Sequence, residues 1–93
     1  MSEPTKITTR EEVAYFFPAN GRTFEIDEIR NAVDGNIEII HIDDDQIMII
    51  NEEGKFSKAP NLLATRIAHL YGAISERDYI CGDVVICPSP MLP

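Results

Sequence analysis

Hydrophobic positions along this chain switch between a period of two and a helical period, and each switch marks an element. Glu11 to Phe17 alternate, with Val13, Tyr15 and Phe17 on one side, which predicts a strand ended by Pro18. Pro18-Ala19-Asn20-Gly21 reads as a turn. A helical spacing follows, with Ile26, Ile29 and Val33 on one face. Thr23 is placed to cap this helix, Glu25, Asp27 and Glu28 lie in its first turn, and Gly35 supplies the stop. Asn36 to Ile42 and Gln46 to Ile50 predict a hairpin turned by Asp43-Asp44-Asp45. A second helix opens at Ala59-Pro60-Asn61. Leu63, Ile67 and Leu70 form one apolar row on it, Ala64, Ala68 and Tyr71 an adjacent one, and Gly72 ends it. A loop over 73–82 leads to a last strand, Asp83 to Cys87, bounded by Pro88 and Pro90.

The order is β-α-β-β-α-β: an α+β fold, expected as a mixed sheet packed by two helices in one small domain over residues 11–93. Residues 1–10 are polar and are expected to be a flexible N-terminus. Both sides of the hairpin are apolar, since Ile37 and Ile39 point opposite to Ile40 and Ile42, and Ile47 and Ile49 oppose Met48 and Ile50. A sheet wet on one face should alternate polar and apolar residues. With only two short helices to cover it, a second subunit is the expected cover, so a homo-oligomer is predicted through Ile40, Ile42, Met48 and Ile50.

Composition narrows the class. Ninety-three residues make a single core, and 44% hydrophobic with 26% charged residues is a globular balance. No apolar run approaches a membrane span, and residues 1–10 lack the apolar centre of a secretory signal, so a cytoplasmic protein without membrane contact is expected. Cys81 and Cys87 are six positions apart, roughly 20 Å along a strand, which predicts two reduced thiols.

The net charge of −8 is uneven. Residues 25–53 hold ten acids and one base, a net −9, and the remainder is +1. That excludes an extended nucleic acid as a partner.

Several stretches together resemble a known family. Pro18-Ala19-Asn20-Gly21-Arg22-Thr23-Phe24, then Ile29 and Val33-Asp34-Gly35-Asn36-Ile37-Glu38, resemble the opening blocks of domain of unknown function 3846. Asn51-Glu52-Glu53-Gly54-Lys55, Asn61-Leu62-Leu63-Ala64-Thr65 and Asp78-Tyr79-Ile80-Cys81-Gly82-Asp83-Val84 resemble its later blocks. Asp34 stands where that family usually has glycine, and 72–77 is an added loop. The resemblance implies a protein of phages or mobile elements inside a bacterial host, with no activity attached.

Candidate chemistry is sparse. Lys55, Lys58, Asn61, Thr65, Arg66 and His69 gather around the start of the second helix, where unpaired N–H groups could hold a phosphate or carboxylate. The competing role for Asn61 is as the helix cap. The Asp43-Asp44-Asp45 run, taken with Glu38 and Glu52, lacks the ligand spacing and glycine of a calcium loop, and His41, His69, Cys81 and Cys87 show no short metal spacing. No cofactor is expected. Nor does any nucleophile-and-base pair stand out. The expected function is a non-enzymatic, oligomeric protein that sequesters a small anionic, nucleotide-like ligand, in a phage setting a bacterial immune signal. An acidic protein-interaction module or inhibitor that mimics phosphates is the alternative, and a small hydrolase the third.

Overall fold

A computed structural model describes residues 3–93. In chain order the elements are β1 (Thr5–Ile7), β2 (Val13–Tyr15), α1 (Ile26–Val33), β3 (Ile37–His41), β4 (Gln46–Asn51), α2 (Gly54–Ser57), α3 (Leu62–Leu70), β5 (Val84–Pro88) and a 3-10 turn (Ser89–Met91). The strands form one sheet in the order β2-β1-β5-β4-β3. Every pairing is antiparallel, so the sheet is not the mixed one expected.

The N-terminal expectation is also corrected. Thr5–Ile7 is a strand between β2 and β5, with Pro4 and Ile7 buried. Ile7 alone is apolar there, and one residue sets no period. Met1 and Ser2 of the expected tail lie outside the described residues.

The sheet carries two cores. On one face Phe24, Ile29, Ala32 and Val33 of the α1 segment pack on Ile47, Ile49, Val85 and Cys87. On the other, Ala64 and Ala68 of α3 pack on Ile42, Met48, Ile50, Ile7 and Val84. The hairpin is therefore covered on both sides within one chain. Met48 is wholly buried and Ile42 and Ile50 nearly so, while Ile40 is half-buried against the same cluster. The face expected to await a second subunit lies under α3. Ala64 and Ala68 are the residues of α3 that this packing excludes from water completely. The row that buries is thus Ala64–Ala68. Leu63 and Ile67 flank it half-buried, and Leu70 is 82% exposed.

Local chemistry sets the element ends. Glu25, not Thr23, caps α1 through a capping box with Glu28. Asp34 takes the left-handed conformation (φ 59°) after α1, the position for which glycine is favoured, and Gly35 follows it. Asp43 turns the β3–β4 hairpin by accepting from the N–H groups of Asp45 and Gln46.

Candidate functional site

Two buried asparagines hold the loops around α3. Asn51 donates to the carbonyls of Val33 and Asp34 and accepts from the Glu53 N–H, tying the end of α1 to the end of β4. Asn61 is fully buried. Its amide donates to the carbonyls of Ile7 (3.1 Å) and Gly82 (2.9 Å), and its oxygen accepts from the Ala64 N–H at 3.0 Å. Asn61 is therefore the cap of α3 and a clamp between β1, α3 and the approach to β5. Its side chain is spent on the fold.

The other residues gathered by sequence spacing are mostly engaged as well. Thr65 Oγ1 accepts from the Ile80 N–H at 2.8 Å, zipping the 78–82 loop to α3. His69 Nε2 lies 2.8 Å from the Asp78 carbonyl; a carbonyl only accepts, so this ring nitrogen carries the proton. Lys58 pairs with Asp34, and Lys55 pairs with Asp78. Lys58 holds the Asp34 carboxyl below its ordinary range. For Asp78 the Lys55 ammonium acts first and the Tyr79 N–H second, both lowering the pKa, while Lys55 itself is raised by Asp78. Arg66 is exposed and makes no ion pair among the described residues. The expected positive spot is an array of satisfied contacts with one free cation at its side.

Beside that array lies a cleft of about 410 Å³, between the β3–β4 hairpin, α2 and the 73–81 loop. Ile40, Ile50 and Ile80 form its apolar floor. Glu38 and Glu52 stand exposed on its hairpin side. Register places them as diagonal neighbours on one sheet face, since Glu38 pairs with Ile50 and the Glu52 N–H bonds the Asn36 carbonyl. Across the cleft, the Lys55 ammonium sits 4.8 Å from the centre of the Tyr79 ring. Phe56, on the one-turn helix α2, is 89% exposed at the rim. Gly54 lets α2 lie against the Cys81 backbone, because a Cβ there would meet the Cys81 carbonyl oxygen at 2.6 Å.

Chemically, the cleft combines carboxylates, aromatic faces and an apolar floor. Its one lysine is already paired. Cys81 is buried with its thiol raised by desolvation, so it is no ready nucleophile. Among the described residues no group of three or more His, Cys, Asp or Glu is placed to hold a metal ion. No helix among them is long and apolar enough to cross a membrane.

Glu38, Phe56, Asp78 and Tyr79 escaped the sequence-level search for cations. One signal could have found all but Phe56: the Val33–Glu38, Asn51–Lys55 and Asp78–Val84 blocks that carry the family resemblance meet at this cleft. The family model described as Domain of unknown function (DUF3846) matches residues 3–90. The chain belongs to this family. No curated protein and no solved structure matches it. For this DUF3846 member the cleft is thus framed by family blocks, while the Asp43-Asp44-Asp45 turn lies at the opposite end of the hairpin.

Proposed function

We propose that this DUF3846 protein is a non-enzymatic, acidic protein-interaction module whose cleft receives a basic segment of a partner. One observation carries this over anion sequestration: Lys55 and Lys58 are neutralised by Asp78 and Asp34, whereas Glu38 and Glu52 are exposed and form no ion pair among the described residues. A phosphate entering the cleft would meet carboxylates before any free cation. An arginine or lysine side chain would instead meet Glu38 and Glu52 with its charge, and Tyr79 or Phe56 with its stem. The −9 charge of residues 25–53 extends the same field across the hairpin and steers a basic partner toward it. Carboxylates offered in this way can take the place of phosphates on a partner's basic surface.

The test is a melting and anisotropy panel of labelled arginine-rich and acidic peptides, together with cyclic and linear nucleotides. Basic peptides should bind, bind less tightly as salt rises, and lose affinity in Glu38→Gln/Glu52→Gln. Stabilisation by a nucleotide, abolished by Arg66→Ala, would instead restore the sequestration of a small anionic ligand.

A further inference from the structure

The sheet ends in two open edges, and only one of them can meet its own copy without repulsion. We propose that two copies of this chain pair through β2, antiparallel about Ala14, merging their sheets into one.

The backbone supplies the first argument. The Phe16 N–H bonds the Pro4 carbonyl and the Thr8 N–H bonds the Glu12 carbonyl, which sets the alternation of the β1–β2 ladder. Val13 and Tyr15 therefore turn their N–H and C=O groups away from β1. Among the described residues no strand takes them. Pairing Val13 of each copy with Tyr15 of the partner subunit satisfies all of these groups at once.

The exposed side chains supply the second argument. Val13 is 55%, Tyr15 69% and Phe17 55% exposed, and Val13 and Tyr15 lie on the sheet face that α3 shares. That face continues into a groove of about 390 Å³ between α3 and the sheet, bounded by Val13, Ile86, Ile67, Leu70 and Tyr71. Together with the exposed Leu70 and Tyr71, these side chains present on the order of 600 Å² of apolar surface. That is the upper end of what monomers expose, and approaches the roughly 800 Å² each partner gives to a standard interface. In the pairing about Ala14, Tyr15 of the partner subunit lies beside Val13 at the mouth of the groove.

Charge decides between the edges. At the other edge, β3 turns Ile37, Ile39 and His41 outward in the same way. Self-pairing there would bring together two copies of the −9 segment. The β2 edge belongs to residues 3–24, where Glu3, Glu11 and Glu12 are balanced by Lys6, Arg10 and Arg22. Like-charge repulsion leaves β3 free and β2 available.

Size-exclusion chromatography with light scattering at tens of micromolar should show a dimer. Tyr15→Lys and Val13→Pro should each give a folded monomer, because the Val13 N–H takes no part in the β1 ladder and proline is tolerated at such an edge. In the proposed register the two Ala14 residues face each other as a non-hydrogen-bonded pair, with Cα atoms about 4.5 Å apart, within reach of a disulfide. Mild oxidation should therefore link Ala14→Cys into covalent dimers and leave Ile39→Cys as monomers. A monomeric native protein, a dimer that survives Tyr15→Lys, or linkage through Ile39→Cys but not Ala14→Cys would overturn the proposal.

Discussion

The two faces of the sheet are finished differently. Under α1, Phe24, Ile29, Val33, Ile47, Ile49, Val85 and Cys87 are almost wholly excluded from water, with Phe16, Ile37, Met91 and Leu92 half-buried at the margins. Under α3 the centre is as tight, at Met48, Val84, Ala64 and Ala68, but the margins are not closed. Ile40, Leu63, Ile67 and Ile86 are half-buried as their counterparts are, but here a cleft opens on either side of the helix. A helix that docks through two alanines makes a narrow ridge, and the sheet is wider than the ridge. The α1 face stores stability; the α3 face leaves surface for recognition.

The sharpest way to break that contrast is to truncate equivalent aliphatic side chains on the two faces. Ile29→Ala should cost about 4 kcal/mol, because the site is fully enclosed and cannot collapse easily. Leu63→Ala, on the open flank of α3, should cost about 1 kcal/mol. Urea unfolding followed by far-UV circular dichroism measures both. Equal losses would mean that the α3 face is as closed as its opposite.

Next in size is Asn61→Ala. It removes three hydrogen bonds and strands the carbonyls of Ile7 and Gly82 and the Ala64 N–H in the interior. A loss of about 3 kcal/mol is expected. A loss below about 0.5 kcal/mol in the same unfolding measurement would return Asn61 to the surface polar groups.

The contrast between the faces explains what the chain disclosed in advance. The helix with Ile29 and Val33 inward and the doubly apolar hairpin were legible from their periods, although Ile26, expected on the same inner face, lies exposed at the first turn. The coverage of Ile42, Met48 and Ile50 was not legible, because counting helices says nothing of where on the sheet Ala64 and Ala68 come to rest. Strand β1 carries a single inward apolar residue, and its place in the sheet comes from a short hairpin with β2 and a non-local pairing with β5. The lysines were legible as a cluster, but their partners Asp34 and Asp78 lie 24 and 23 positions away and only the fold brings them in. The cleft shares that origin: its carboxylates come from β3 and the end of β4, its aromatics from α2 and the 73–81 loop.

Titration should sharpen the contrast with smaller effects. Asp34, Asp78 and Glu28 all have pKa values below their ordinary 3.8, 3.8 and 4.5 in the folded protein. The stability they contribute is present above those ordinary values and is lost as pH falls through the lower folded values. Because they lie at the surface, the acid-side loss should be shallow and should shrink in high salt. Cys87, inside the α1 face, is raised by burial from 9.0 to about 11. Its contribution is present below pH 9.0 and is lost as pH rises toward 11. Cys87→Ala should flatten the alkaline limb of a pH–stability profile and leave the acid limb alone.

Arg66→Ala is the smallest change in stability and the most discriminating in function. Arg66 is exposed and pairs with no acid among the described residues, so its removal should alter unfolding free energy by less than about 0.5 kcal/mol. Its charge stands on α3, between the two open flanks. If the acidic cleft receives a basic segment, deleting this cation deepens the negative field, so a basic peptide should bind slightly faster at low salt and equally well at high salt. If α3 instead met an anion, Arg66 would be its one unpaired charge partner and affinity would collapse. Stopped-flow association with a labelled basic peptide separates the cases by sign: slower association in Arg66→Ala would remove the electrostatic basis of the acidic-module proposal, and faster association would place the working surface on the hairpin side of the cleft.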